Sequence, residues 1–232
     1  TLSPPREEHA LALLADGRVL IIGGSNGTAP LASTDIFDPA TGSVTPGPAL
    51  AAPRSAHSAT TLLDGRVLVA GGGGTVTNAD GSTTPAELAS AEVYDPSVGT
   101  FSPAASTLAA ARQGHMAFLL PHNNNVLVVG GTSAGVPLAA SELFSPWQGI
   151  FASTGALTTA RTGAAGNGMQ QDGLLLVAGG SDANGAALAS SELYGFATVK
   201  TDAADYAPGT TVTITGSGWQ PGETVTLTLV ES

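Results

Sequence analysis

Leu62-Leu63-Asp64-Gly65-Arg66-Val67-Leu68-Val69-Ala70-Gly71-Gly72 decides how the rest of the chain is read. It is an apolar run, an Asp-Gly pair, a second apolar run and a glycine pair. Asp-Gly between apolar segments predicts a two-residue type I′ hairpin, a turn that needs φ > 0 at both central residues. Val67 to Ala70 is apolar at every position, which suits a strand covered on both faces. The glycine pair ends that strand where a side chain would block a bend or a close backbone approach.

The stretch recurs. Glycine pairs fall at Gly23-Gly24, Gly71-Gly72, Gly130-Gly131 and Gly179-Gly180, spaced 48, 59 and 49 residues apart. A lead arginine precedes each unit at Arg6, Arg54, Arg112 and Arg161, spaced 48, 58 and 49. An acid two residues before an aromatic follows each pair: Asp35/Phe37, Glu92/Tyr94, Glu142/Phe144 and Glu192/Tyr194. Three markers in one register make four structural repeats. Each unit is expected to hold four strands, in the second unit at about 57–63, 66–70, 91–94 and 100–103. Asp16-Gly17, Asp64-Gly65 and Asp172-Gly173 supply tight turns, and Asn123-Asn124-Asn125 replaces them in the third unit, since asparagine tolerates the left-handed region. The segments that differ between copies are 25–32, 73–88, 132–139 and 181–187, and 73–88 is the longest.

Arg54-x-x-His57, Asp64-Gly65-Arg66-Val67-Leu68, Gly71-Gly72 and Glu92-x-Tyr94-Asp95-Pro96 together resemble the kelch motif, the four-stranded blade of a β-propeller, in its bacterial galactose-oxidase-like form. The resemblance implies an all-β chain with four kelch-type blades within 1–196, at about 6–53, 54–111, 112–160 and 161–196. Kelch rings usually hold more blades, so three arrangements are open: a complete four-bladed ring, part of a larger ring, or a unit completed by a neighbouring chain. After 196 the character changes. Val212-Thr213-Ile214-Thr215 and Val225-Thr226-Leu227-Thr228-Leu229 alternate in period two between Pro-Gly turns. Residues 197–232 resemble the opening strands of a bacterial immunoglobulin-like surface module, an incomplete β-sandwich. An unclosed propeller and an unfinished sandwich would both expose strand edges that template pairing with another chain.

Composition narrows the function. A net charge of −11 argues against a nucleic-acid partner, and no apolar run is long enough for a membrane span. With no cysteine there are no disulfides and no thiolate ligands or nucleophiles. The crosslinked tyrosine–cysteine copper site of galactose oxidase therefore cannot form. No Gly-x-Ser-x-Gly elbow appears, and Gly71–Gly74 with Thr75 lacks the lysine of a phosphate loop. Neither a cofactor nor a metal is expected, and the chain is read as non-enzymatic.

His9, His57 and His115 each follow a lead arginine by three residues, a repeated structural position rather than a ligand set. The natural partners of Arg6, Arg54, Arg112 and Arg161 are Asp35, Glu92, Glu142 and Glu192, within or between blades. Asp182-Ala183-Asn184-Gly185 and Asn78-Ala79-Asp80-Gly81 look like weak calcium loops without a closing glutamate and are read as turns. Partner recognition is assigned to the variable loops, first to 73–88 with Gly73, Thr75, Asn78, Asp80, Thr84 and Glu87. The expected partners are proteins, through self-association or contact with other surface proteins. The expected setting is extracellular or at the bacterial cell surface, in adhesion or filament assembly. Glycans are the alternative, with Trp147 and Trp219 as stacking platforms for a propeller module of a larger secreted enzyme.

Overall fold

The computed structural model describes residues 2–120, 123–169, 173–195, 198–201, 207 and 210–217. Blade 1 is the antiparallel sheet β1 (Ala10–Leu13), β2 (Val19–Ile22), β3 (Thr34–Asp38) and β4 (Ser43–Pro46), in that order. Blade 2 is built from β5 (Ser58–Thr61), β6 (Val67–Ala70), β9 (Ala91–Asp95) and β10 (Thr100–Pro103). The hairpin β7 (Gly73–Thr77) and β8 (Thr83–Glu87) is inserted between its second and third strands. Blade 3 is β11 (Met116–Leu119), β12 (Val126–Val129), β15 (Ser141–Ser145) and β16 (Ile150–Thr154), with a short hairpin β13 (Thr132–Ser133) and β14 (Val136–Pro137) at the same place. Blade 4 is β17 (Ala165–Met169), β18 (Leu174–Ala178) and β19 (Ser191–Gly195). The described residues thus give it three strands where four were expected. β20 (Thr198–Thr201) and β21 (Ile214–Ser217) form a separate antiparallel pair.

The second strand of each blade explains why the repeats stack. Side chains alternate across a strand, and both faces of β6 are covered. Val67 and Val69 join Leu20 and Ile22 of blade 1 in one core. Leu68 and Ala70 join Val126 and Val128 of blade 3 in the next. Leu127 and Val129 then meet Leu175 and Val177 of blade 4. Each buried aliphatic side chain contributes about 1.5–3 kcal/mol, so three interblade cores hold the stack. Tyr94 and Phe101 add a tilted ring pair at 5.1 Å on the blade 1 side, and Phe144 and Phe151 one at 4.9 Å on the blade 2 side.

The outermost faces differ. On blade 1, Leu11 and Leu13 are 57% and 62% exposed; on blade 4, Leu176 and Leu193 are 37% and 60% exposed. Among the described residues no core joins blade 4 to blade 1, and no helix is long and apolar enough to cross a membrane.

Two local expectations are corrected. The Asp64-Gly65 turn is not type I′: Gly65 has φ +86° but Asp64 is not in the positive-φ region. Gly65 N–H donates to Leu62 O at 3.0 Å and Leu62 N–H to Arg66 O at 2.8 Å. That pattern is a three-residue loop, a turn over Leu63-Asp64 closed by a left-handed glycine. Asp64 stays at negative φ because its carboxylate accepts the Arg66 N–H at 3.1 Å, the usual side-chain-to-backbone closure of a tight turn. In blade 3, Asn124 takes the glycine's place at φ +58°. The second concerns 73–88, read from the sequence as a variable loop between the second and third strands, which folds as the β7–β8 hairpin. Asp172, His122, Trp219, Tyr206 and the 225–229 alternation lie outside the described residues.

Candidate interaction face

Each lead arginine is a staple inside its own blade. The side chains of Arg6, Arg54, Arg112 and Arg161 are fully buried. Arg54 Nη1 donates to Gly71 O at 2.7 Å and Ser90 O at 3.1 Å, while Nη2 reaches Glu92 Oε1 at 2.8 Å. Arg6 with Asp35, Arg112 with Glu142 and Arg161 with Glu192 repeat the geometry. A planar guanidinium supplies this fork of donors, which an ammonium does not. The glutamates also tie down the preceding linker. Glu92 accepts the N–H groups of Ala51 and Ala52 at 2.8 and 3.2 Å, Glu142 that of Ala109 at 2.8 Å, and Glu192 those of Thr158 and Thr159. In blade 1 the residue two before the arginine is Pro4, which has no N–H, and the acid is the shorter Asp35.

The histidines mark junctions. His115 Nε2 lies 2.8 Å from Ser58 Oγ of the previous blade. His57 packs its ring against Gly23, where an added Cβ would come within 3.0 Å of Cε1. Burial first, and then the neighbouring lead arginines, push His57 and His115 down to about 3, so both are neutral wedges at ordinary pH. His9 occupies the same position at the start of blade 1. Among the described residues no group of three His, Asp or Glu side chains could hold a metal ion.

The glycine pairs deliver the chain to one end of every blade. Immediately after each pair, a two-bond clasp ties the loop to the segment after the lead arginine: Ser25 with Glu7, Gly73 with Ser55, Thr132 with Gln113 and Ser181 with Thr162, at 2.7–3.1 Å. Sequence reading missed these clasps because their side chains differ and only main-chain atoms bond. They place the four variable segments on one face.

On that face the hairpin β7–β8 carries Gly73 and Thr75 on one strand and Thr84 and Glu87 on the other, with Asn78 and Asp80 at its tip. Asn78 closes the tip through its own N–H to Ser82 O at 2.8 Å, and Asp80 Oδ1 accepts Ser82 N–H at 2.9 Å. Asp182 Oδ1 likewise accepts N–H groups from Asn184 and Ala186. Both acidic turns are thus closed by their own backbone. Glu87 reaches blade 3, where its carboxylate accepts the N–H groups of Ala134 at 2.8 Å and Gly135 at 3.3 Å. Ala134 and Gly135 both have positive φ, 48° and 75°, as a two-residue β13–β14 turn requires. The result is a cleft of about 300 Å³ between blades 1, 2 and 3, lined by Pro30, Gly74, Pro85, Glu87, Gln113 and Gly135.

Charge on this face is one-sided. The lead arginines are buried, and Arg18 and Arg66 pair with Asp16 and Asp64 at the opposite end, where each second strand begins. Glu7, Glu8, Asp80, Glu87 and Asp182 remain on the loop side. Trp147, 63% exposed, sits in the β15–β16 turn at the end away from the loops.

The arrangement is a row of small antiparallel blades presenting loops from one end. A family model described as the Kelch motif matches residues 9–51, covering blade 1 from its histidine to the linker before Arg54. The chain contains a kelch-type repeat. A search of curated proteins found no match to the chain.

Proposed function

We propose that this chain is a non-enzymatic protein–protein interaction module that reads a cationic partner with its loop end. We place it outside the bacterial cell or on its surface, in adhesion or matrix building. The observation that carries this reading is the acidic loop face pinned by Glu87 across two blades. Kelch motifs mediate protein–protein interaction, and residues 9–51 carry one. A face of unopposed carboxylates attracts a partner bearing lysine or arginine and speeds its encounter. A chain with one lysine, no cysteine and a net charge of −11 fits an extracellular setting. The period-two alternation after 196 fits the opening of an immunoglobulin-like module, of the kind that spaces surface domains.

The test is binding of the immobilised chain to matched cationic, neutral and acidic peptides at low and raised salt. Cationic peptides are expected to bind, to weaken with salt, and to lose affinity to the Glu7→Gln/Asp80→Asn variant. Equal binding of neutral and cationic peptides overturns the reading. The exposed Trp147 supports a second reading, a carbohydrate-binding module of a larger secreted enzyme, with the sugar stacked at the end opposite the loops. Glycan-array binding lost on Trp147→Ala would favour it.

A further inference from the structure

The cleft between blades 1, 2 and 3 belongs to neither outer face of the stack. Its lining residues run from Pro30 to Gly135, all in blades that pack on one another through the interblade cores. Main-chain bonds hold its rim. Ser55 N–H donates to Gly73 O at 2.8 Å, and Gln113 N–H to Thr132 O at 3.1 Å. Leu31 O accepts the Arg54 N–H at 3.1 Å, which ties the segment after Pro30 to blade 2. Walls of proline and glycine have few rotamers to freeze, so a ligand that enters loses little binding energy to ordering them.

Glu87 is the ionisable residue of this lining. The two backbone N–H groups that pin it use one site on each carboxylate oxygen, Oε2 for Ala134 and Oε1 for Gly135. A carboxylate has about four acceptor sites, so one is left on each oxygen. Two free sites side by side match the parallel N–H pair of a guanidinium better than the point charge of an ammonium. No arginine of this chain supplies that fork. All six are paired with Asp16, Asp35, Asp64, Glu92, Glu142 and Glu192. Glu87 is a half-buried carboxylate fixed in place, with no cation against it among the described residues.

The other lining groups suit the rest of an arginine residue. Pro30 and Pro85 have no N–H to oppose a cation, and their rings offer apolar surface to the methylene stem and the guanidinium plane. Gln113 spends its main chain on the clasp, while its side-chain amide lies over Gly73, where an added Cβ would stand 2.6 Å from Oε1. Among the described residues that amide has no partner, so it is free to bond a ligand's backbone as donor and acceptor.

Deepening the interaction-module reading, on which it rests, we infer that this cleft is the pocket for one arginine side chain of a partner protein, gripped by Glu87, with Gln113 on the adjoining main chain. The pocket selects arginine over lysine. The remaining acids of the loop face attract either.

Nuclear magnetic resonance titration of the whole chain tests this with blocked Gly-Ser-X-Ser-Gly peptides, X being arginine, lysine or the neutral arginine isostere citrulline. The arginine peptide is expected to shift the Ala134 and Gly135 amide signals saturably. The lysine peptide binds about tenfold more weakly, and the citrulline peptide gives no saturation. Glu87→Gln keeps an acceptor oxygen for the hairpin but not the charge, and weakens the arginine peptide about tenfold. Gln113→Phe fills the cleft, keeps the main-chain clasp and the wild-type circular dichroism, and abolishes the saturable shift. Glu7→Gln/Asp80→Asn lowers arginine and lysine binding together and leaves their ratio unchanged. No saturable shift from the arginine peptide, equal affinity for arginine and lysine, saturation by citrulline, or undiminished binding in either cleft variant overturns the proposal. Failure of the pocket alone leaves cationic peptides ahead of neutral ones with no preference for arginine, whereas failure of the loop-face reading makes neutral and cationic peptides bind alike.

Discussion

Gly71 of blade 2 lies directly against the carbonyl of Arg112 in blade 3. It holds φ +62°, and an added Cβ would sit 2.6 Å from that oxygen and 2.8 Å from His115 Cε1. Gly71→Ala therefore combines left-handed strain with a clash against backbone and is expected to cost about 3 kcal/mol or more. Gly179→Ala meets the same φ penalty without the clash and should cost the monomer about 1 kcal/mol. Urea unfolding of the two variants gives the difference.

Arg112 and Glu142 are a buried pair at 2.7 Å, with exposure of 0% and 4%. Removing one partner strands the other charge. Arg112→Ala is expected to destabilise by about 3–5 kcal/mol, whereas the apolar pair Arg112→Met/Glu142→Leu loses less than the sum of its single changes. A double-mutant cycle in urea measures the coupling.

His57 and His115 are buried neutral at about 3 against an ordinary 6.5. Their folded values are depressed, so the unfolded chain binds protons first as pH falls. The stability they contribute is whole above about 6.5 and is lost toward about 3, with a slope of up to about 1.4 kcal/mol per pH unit for each. His57→Gln/His115→Gln should flatten the stability–pH curve in that window relative to wild type. Thermal unfolding across the window reads the change, and parallel curves would refute it.

Glu87 pins the β7–β8 hairpin to Ala134 and Gly135. Glu87→Ala should speed hydrogen exchange at those two amides while global stability shifts by only about 0.5 kcal/mol, because the contact lies outside the interblade cores.

Leu68 and Leu176 occupy one repeat position, buried in blade 2 and 37% exposed in blade 4. Leu68→Ala is expected to cost about 2–5 kcal/mol and Leu176→Ala less than half as much in the monomer. Equal losses would mean that blade 4 is covered after all.

Legibility followed chemistry. The arginine and acid positions were readable because a buried guanidinium needs a carboxylate in every copy. That each pair closes inside one blade came from register, which sets Glu92 opposite Val69. The hairpin at 73–88 was not readable: Gly73-Gly74-Thr75-Val76-Thr77 and Thr83-Thr84-Pro85-Ala86-Glu87 bury too little apolar surface to alternate clearly. The Asp64-Gly65 turn was placed correctly but mistyped, since the Asp64 carboxylate decides between turn classes through a bond to Arg66 N–H.

By itself the sequence determined the repeat, the second strands and the glycine pairs, because local periodicity and backbone freedom are written into neighbouring residues. Only the tertiary structure decided which faces are covered. Val67 and Leu176 are both apolar strand residues in the sequence, and what separates them is whether another blade stands opposite. Burial is a property of the neighbour, and the neighbour is fixed by the fold.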